Sequence, residues 1–183
     1  MQKAMYILGE LRDSDITWMG RTGSRRTVEP GTVLIREGES IDAMYIVIDG
    51  RLEVVLGNDT RVATLGAGEI VGEMSLIEKR PPSASVVAVE ESRVLAIPQD
   101  AIREMLKKDQ AFAAGFYRAL AVFLSDRLRA TMGRFGYGNP AEQEDEAARL
   151  EEELELDEGV LDNVHLAGDR FRRLAGLLDG RQI

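Results

Sequence analysis

Residues 72–86, with the sequence GEMSLIEKRPPSASV, combine residue types that can form a phosphate cradle. A Gly-Glu pair is followed by a short apolar turn, and a run of small residues then leads into a strand. Such a cradle surrounds an anion with polar groups of the main chain. At the position where it usually carries a guanidinium group, this chain has Pro82. The stretch therefore predicts an anion-binding loop without its expected arginine.

Other kinds of reactive chemistry are poorly represented in the chain. It has no cysteine, which excludes disulfides, thiolate nucleophiles and cysteine-ligated metals. A single imidazole, that of His165, cannot form a multi-histidine metal site, and no nucleophile motif accompanies it. We interpret His165 as a solvated helix residue. The composition predicts a protein that is not an enzyme and has no metal site.

The net charge of −9 is unevenly distributed. Residues 1–137 hold 19 acidic and 18 basic side chains, whereas residues 138–183 hold 13 acidic side chains and 5 arginines. Nucleic-acid-binding proteins present basic surface, so this balance predicts no nucleic-acid partner. No apolar run approaches the roughly 18 residues of a membrane span, and no secretory leader is recognisable. We therefore expect a soluble, cytoplasmic protein.

The first two segments differ in pattern. Residues 1–26 have helical spacing of apolar residues, and Ser14 is a candidate N-cap. Residues 27–98 have short β-branched runs separated by glycine-containing turns, which predicts an all-β sandwich or barrel. The Asp49-Gly50 pair predicts a two-residue hairpin, and residues 57–59 predict the next one.

Residues 99–137 are predicted to form a short helix over 99–108 and then a long one capped by Asp109. An apolar stripe follows the long helix: Phe112, Phe116, Leu120, Phe123, Leu124, Leu128, Met132 and Phe135. The stripe predicts a helix that covers the β sandwich. Because it is long for one small sandwich, we also expect part of helix 109–135 to pair with a second subunit in a homodimer.

The tail contains an acidic tether, residues 138–158, and an amphipathic helix, residues 159–183. Two alternatives apply to this helix. It either docks in the groove of a protein partner or folds back on its own domain. The anchors predicted for partner binding are Leu161, Val164, Phe171 and Leu174.

The segments TVEPGTVLIREGESIDAMYIVIDGRLEVV and GEIVGEMSLIEKRPPSASVVAVEESRVLAIP resemble the cyclic nucleotide-binding domain family. This family includes bacterial cAMP receptor proteins and the regulatory subunits of cAMP-dependent kinase. The resemblance spans about residues 11–135 and implies an α+β fold. An antiparallel β-roll of jelly-roll type would be flanked by N-terminal helices and a long C-terminal helix. The chain is similar to stand-alone bacterial members without a DNA-binding domain.

The resemblance also implies roles for the residues of the segment 72–86, which we call the cassette. Gly72 would permit close approach of the ligand, and Glu73 would accept a hydrogen bond from the ribose 2′-hydroxyl. Backbone N–H groups of the turn at 74–76 and of the small residues would face the phosphate. The nucleotide-binding candidates are Gly72, Glu73, Met74, Ser75, Arg80, Pro82, Ser83 and Ala84.

The chain departs from the family pattern Pro-Arg-small-Ala, because Pro82 follows Pro81 where the arginine is expected. Three alternatives follow. Arg80 or Lys79 substitutes for the missing guanidinium, although a side chain two positions early should point outward. The pocket takes a less charged ligand. Or the fold is retained as a scaffold with a weak or empty pocket.

These observations predict a non-enzymatic regulatory sensor or adaptor with weak or absent cAMP and cGMP binding. Its only cofactor candidate is a cyclic nucleotide or a related small ligand. The alternative function is a ligand-free assembly module that binds a protein partner through the β-roll and the C-terminal helix. A cupin-type metalloenzyme would need clustered histidines, which are absent from the sequence. The acidic tail holds no basic recognition helix, so we expect no transcription factor.

Overall fold

The computed structural model describes residues 9–57, 59–134 and 158–179. The strands are β1 (Ser24–Val28), β2 (Val33–Ile35), β3 (Ala43–Asp49), β4 (Leu52–Leu56), β5 (Thr60–Leu65), β6 (Ile70–Val71), β7 (Ser85–Ala88) and β8 (Ser92–Pro98). The helices are α1 (Asp13–Thr22), α2 (Glu73–Glu78), α3 (Gln99–Lys108), α4 (Gln110–Arg134) and α5 (Glu158–Asp179). This is the predicted α+β architecture, an antiparallel β-roll with flanking helices.

Two four-stranded antiparallel sheets face each other, one in the order β1-β8-β3-β6 and the other in the order β2-β7-β4-β5. Strand β3 shows why the first sheet lies in the middle of the molecule. Its side chains alternate between two buried clusters, with Tyr45 and Val47 between the sheets and Met44 and Ile46 under the helices. Because side chains alternate across a strand, the continuous apolar run of β3 fits only a sheet that is covered on both faces.

The predicted hairpin at Asp49-Gly50 is wrong. Strand β3 pairs with β6 and β8, whereas β4 pairs with β5 and β7 in the other sheet. Gly50 has a φ of +91°, so the chain does turn there. The Asp49-Gly50 pair specifies a chain reversal but not which strands pair. Because β3 is buried on both faces, it lies in the first sheet, which is covered on both sides. The hairpin at residues 57–59 is confirmed, because Leu56 pairs with Thr60.

The sheet also begins earlier than the sequence indicates. Strand β1 starts at Ser24, within the segment predicted to be helical, and pairs with β8 from Ser24 opposite Ala96 onward. The polar, exposed Ser-Arg-Arg run has no apolar alternation, so only the pairing reveals it as an edge strand.

The predicted N-cap of α1 is also wrong. Arg12 is the N-cap residue, and its N–H donates to Asp15 Oδ2 at 2.9 Å.

Helix α4 is buried along only part of its length. Phe112, Phe116 and Leu120 are buried under the helical layer, which confirms the predicted packing for the first half of the stripe. Leu124 is 37% exposed and Leu128 is 60% exposed. Asp109 caps the helix as predicted, because its Oδ1 accepts the N–H of Phe112 at 2.9 Å. The second half of α4 therefore extends beyond the part of the core that buries the first half.

Candidate functional site

Gly72 forms the turn between strand β6 and helix α2. Its φ is +85°, in the left-handed region. A Cβ atom there would lie 2.9 Å from the Ala43 carbonyl oxygen and 2.9 Å from Ile41 Cδ1. Only glycine fits both the backbone angle and the space. The close approach lets α2 begin directly on the buried sheet.

Glu73, the first residue of α2, is buried at 2% exposure and lines a cavity. Ser75 is also buried, whereas Met74 is 45% exposed. A carboxylate in the first turn of a helix is stabilised by the positive end of the helix dipole. The first backbone N–H groups of any helix also lack intrahelical acceptors. The start of α2 therefore places a buried carboxylate and main-chain donors at one end of the cavity.

The loop after α2 forms the facing wall. It is held in place by the connection between β2 and β3, since the Gly38 N–H donates to the Pro82 carbonyl oxygen at 2.9 Å. The Glu37 N–H donates to Ser85 Oγ at 3.0 Å. These bonds fix the main chain of Pro82 opposite the start of α2.

The cavity between these walls has a volume of about 530 Å³. Strands β2, β4 and β7 of the second sheet supply an apolar floor of Ile35, Val54 and Val86. Helix α4 supplies Leu124 and Leu128 at its mouth. A mostly apolar cavity of this size with a few polar groups is typical of a small-molecule site.

The structure brings all the predicted nucleotide-binding residues together around this cavity. Its lining includes Gly72, Glu73, Met74, Ser75, Arg80, Pro82, Ser83 and Ala84. Their placement is a property of the structure, whereas their contact with a ligand stays a prediction.

Arg80 differs from the sequence-based expectation. Its position before Pro81 suggested an outward side chain, yet Arg80 lines the cavity, and Lys79 does not. Lys79 has a φ of +55°, so the chain turns sharply at the end of α2. Arg80 is exposed, and in the described part of the chain its guanidinium has no ion-pair partner. It is therefore the guanidinium at the rim of the site.

Sequence reasoning missed the floor and the mouth of the cavity. The floor residues Ile35, Val54 and Val86 could have been found as inward positions of alternating strands. Leu124 and Leu128 were recognised as part of a stripe but not as cavity residues. Gln99 was missed altogether: it is 3% exposed, and its Nε2 donates to the Gly72 carbonyl oxygen at 3.3 Å. No local pattern signals this contact.

The C-terminal anchors do not share this site. Leu174 is fully buried and Phe171 packs against the same cluster as α1 and α4, so α5 folds back on its own domain in this structure. The side chains of Leu161 and Val164 lie outside the described residues. Partner binding by these four residues stays a prediction, and it requires α5 to leave this position.

The structure describes residues 9–57, 59–134 and 158–179. In these ranges, no group of three or more histidine or acidic side chains is placed to hold a metal ion. No helix in the same ranges is long and apolar enough to cross a membrane.

The comparisons with known proteins agree with one another. Residues 25–109 match the family model described as the cyclic nucleotide-binding domain. The chain is 34% identical over 105 residues to a cAMP-dependent protein kinase regulatory subunit of Yarrowia lipolytica, covering 57% of this chain and 28% of that protein. It is 32% identical over 109 residues to the cyclic AMP receptor protein of Thermus thermophilus, covering 57% and 49%. The chain thus spans less than half the length of either relative.

A solved structure shows the same fold. The crystal structure of a cyclic nucleotide-binding domain from Methylobacillus flagellatus superimposes with a TM-score of 0.65 at 22% identity. The match covers 72% of this chain and 80% of that one.

Proposed function

We propose that this chain, whose residues 25–109 match the model of the cyclic nucleotide-binding domain family, is a non-enzymatic regulatory protein whose cavity binds a cyclic nucleotide weakly. The observation that carries the proposal is the 530 Å³ cavity lined by both the buried Glu73 and the rim residue Arg80. A carboxylate can accept a ribose hydroxyl, and a guanidinium can pair with a phosphate.

Low affinity follows from Pro82. Hydrogen bonds to a charged group contribute about 1.5–3 kcal/mol, so loss of an arginine at this position weakens binding about 10- to 150-fold. Proline also removes one backbone donor beside the phosphate. Arg80 offsets part of this loss. Because its side chain is exposed, solvent screens its charge and the replacement is incomplete.

The regulatory step uses the contacts between the cavity and the helices. Gln99, the first residue of α3, bonds to the Gly72 carbonyl oxygen, and α4 contributes Leu124 and Leu128 to the cavity. A ligand that orders residues 72–84 would therefore bias the placement of α3 and α4. The size of such a switch is limited by the ligand's difference in affinity for the two arrangements.

Isothermal titration of the full chain with cAMP and cGMP, up to millimolar ligand, tests this function. We expect weak, saturable binding that Arg80→Gln reduces about tenfold and that the matched variant Lys79→Gln leaves unchanged. Glu73→Gln should lower affinity for the cyclic nucleotides. Absence of heat, together with no competition against a fluorescent cAMP analogue, overturns the proposal and favours the ligand-free assembly module.

We also propose a homodimer through α4. Tyr117 is 51% exposed and Leu128 is 60% exposed on the helix predicted to pair. Sedimentation equilibrium of the full chain and of Tyr117→Glu tests it. A dimer that Tyr117→Glu weakens supports this pairing, and a wild-type monomer at high micromolar concentration contradicts it.

A further inference from the structure

Helix α5 is held on α1 by a narrow apolar stripe. Ala167 and Leu174 are fully buried, and Phe171 and Ala175 pack against the same cluster. Ala167, Phe171 and Leu174 recur at helical spacing, so they share one face of the helix. Among the α5 side chains that the structure describes, these four supply the apolar contact, and a polar contact in the same interface would add direction to it.

Arg170 is that polar contact. Its side chain is only 12% exposed, and its Nε donates to Asp13 Oδ1 at 2.7 Å. Its Nη1 donates to the Gly9 carbonyl oxygen at 2.9 Å. Arg173 adds a longer, exposed contact of 3.7 Å to Asp13 Oδ2. A guanidinium with two directional partners specifies where a helix docks and in which direction it runs.

The residue next to Asp13 connects α1 to α4. Arg12 Nη2 lies 2.6 Å from Asp109 Oδ2 and 2.8 Å from Asp15 Oδ1. Asp109 is also the cap of α4, through its bond to the Phe112 N–H. One end of α1 therefore contacts both the C-terminal helix and the start of the helix that lines the cavity.

We propose that the surface of α1 beneath α5 is a docking site for an amphipathic helix, with residues 158–179 as its resident and exchangeable occupant. The site selects a helix with a small residue, an arginine, an aromatic residue and a leucine at the spacing of Ala167, Arg170, Phe171 and Leu174. Through Arg12 and Asp109, occupancy of this site is coupled to the position of α4. The coupling rests on the proposed function, whereas the docking site does not.

The resident helix is covalently tethered to its site. Residues 135–157 join α4 to α5, so the resident helix competes with any second helix as an intramolecular ligand. A second helix of the same pattern, including that of another copy of the chain, binds only when the resident helix is weakened or displaced.

The chain contains a built-in reporter for this surface. Trp18 is its only tryptophan, and it lines a recess with Asp13 and Arg173 where α1 meets α5. Its ring also lies 5.4 Å from that of Phe112, at the start of α4. Tryptophan emission therefore responds to α5 leaving and to α4 moving.

The test of the docking site uses the full chain and a fluorescein-labelled synthetic peptide of residues 158–179, without nucleotide, and only the test of the coupling adds cAMP. We expect Arg170→Gln to bind the peptide at least about tenfold more tightly than the wild type, since its own helix loses charge-assisted hydrogen bonds. The matched control is Arg172→Gln, because Arg172 is 75% exposed and pairs with Asp169 on α5 itself. It should bind the peptide as the wild type does.

A charge-reversed pair distinguishes loss of the docking contact from unfolding of the variant. The variant Asp13→Arg should reject the native peptide and accept one carrying Arg170→Asp. Equal peptide affinity for the wild type, Arg170→Gln and Arg172→Gln overturns the docking site, as does failure of the reversed pair in a folded protein. Peptide binding that millimolar cAMP leaves unchanged, in a protein shown to bind cAMP, overturns the coupling alone.

Discussion

Gln99 ties the start of α3 to the Gly72 turn through a hydrogen bond of 3.3 Å from its Nε2 to the Gly72 carbonyl oxygen. Its Oε1 accepts a second hydrogen bond, from Arg103 Nη2 at 2.7 Å. Because Gln99 is buried, removing its amide leaves the carbonyl oxygen and the guanidinium without these partners. The same side chain therefore supports both the cassette turn and the first turn of α3.

Replacing Gln99 with methionine should lower the free energy of unfolding by about 1–3 kcal/mol, the cost of an unsatisfied buried polar group. Urea denaturation followed by circular dichroism measures it. Gln110→Met is the matched control, because Gln110 is the exposed first residue of the next helix. Equal midpoints for the two variants would show that the Gln99 bonds contribute nothing to stability.

Pro82→Arg should raise the affinity for cAMP or cGMP about tenfold or more, because it restores a guanidinium at the cavity wall. The bond from the Gly38 N–H to the carbonyl oxygen of residue 82 does not depend on the side chain. Pro82→Gln restores the backbone N–H without the charge and so separates the two effects. Unchanged calorimetric affinity in Pro82→Arg would mean that Pro82 is not the cause of weak binding.

Gly72→Ala should destabilise the fold. The left-handed backbone alone costs a residue with a Cβ about 1–2 kcal/mol, and the 2.9 Å approaches to Ala43 and Ile41 add to it. Gly66→Ala is the control, since a Cβ there meets nothing within 4 Å. Chemical denaturation should show a clear loss for Gly72→Ala only. A stability equal to that of Gly66→Ala would contradict the close packing of the turn.

Replacing a large side chain by alanine should affect stability differently in the two halves of α4. Phe112→Ala removes a side chain with 0% exposure and should cost about 3–5 kcal/mol. Leu128→Ala removes one that is 60% exposed in the single chain, so it should change the stability of the monomeric protein, measured at a concentration too low for dimerisation, by no more than about 0.5 kcal/mol. Thermal and urea unfolding of both variants at the same protein concentration distinguish them. A large loss in Leu128→Ala when the protein is monomeric would contradict the exposure of this half of the helix.

Asp109 should make stability depend on pH in the acid range. Its bond from the Phe112 N–H and its contact with Arg12 lower the pKa of the carboxyl below its ordinary value. A carboxyl whose folded pKa is lowered stabilises the fold above its unfolded pKa of about 3.9. That stabilisation is lost as the pH falls through the folded pKa.

Asp109→Asn keeps a capping oxygen but cannot ionise, so the melting temperature of this variant should fall less between about pH 5 and pH 3 than that of the wild type. Asp59→Asn, in an exposed turn, serves as the matched substitution. Parallel melting curves for the wild type and Asp109→Asn across this range would refute the assignment.

Most of the strands and helices could be predicted from local patterns in the sequence. The continuous apolar, β-branched run of β3 indicates a buried strand, and helical spacing indicates α3 and α4. The grouping of Glu73 with the small residues Ser83 and Ala84 around one cavity was predicted from the resemblance to the family, and the structure places all three in the lining of that cavity.

Three features depend on the complete fold: which strands pair, where Arg80 lies and which surface α5 packs on. Asp49-Gly50 turns the chain, but burial on both faces of β3 sends β4 to the other sheet. Arg80 reaches the cavity because the chain turns at Lys79. The amphipathic face of α5 meets α1 through the contact of Arg170 with Asp13, two residues far apart in sequence. Such pairings depend on which surfaces the complete fold brings together, and local patterns carry no information about them.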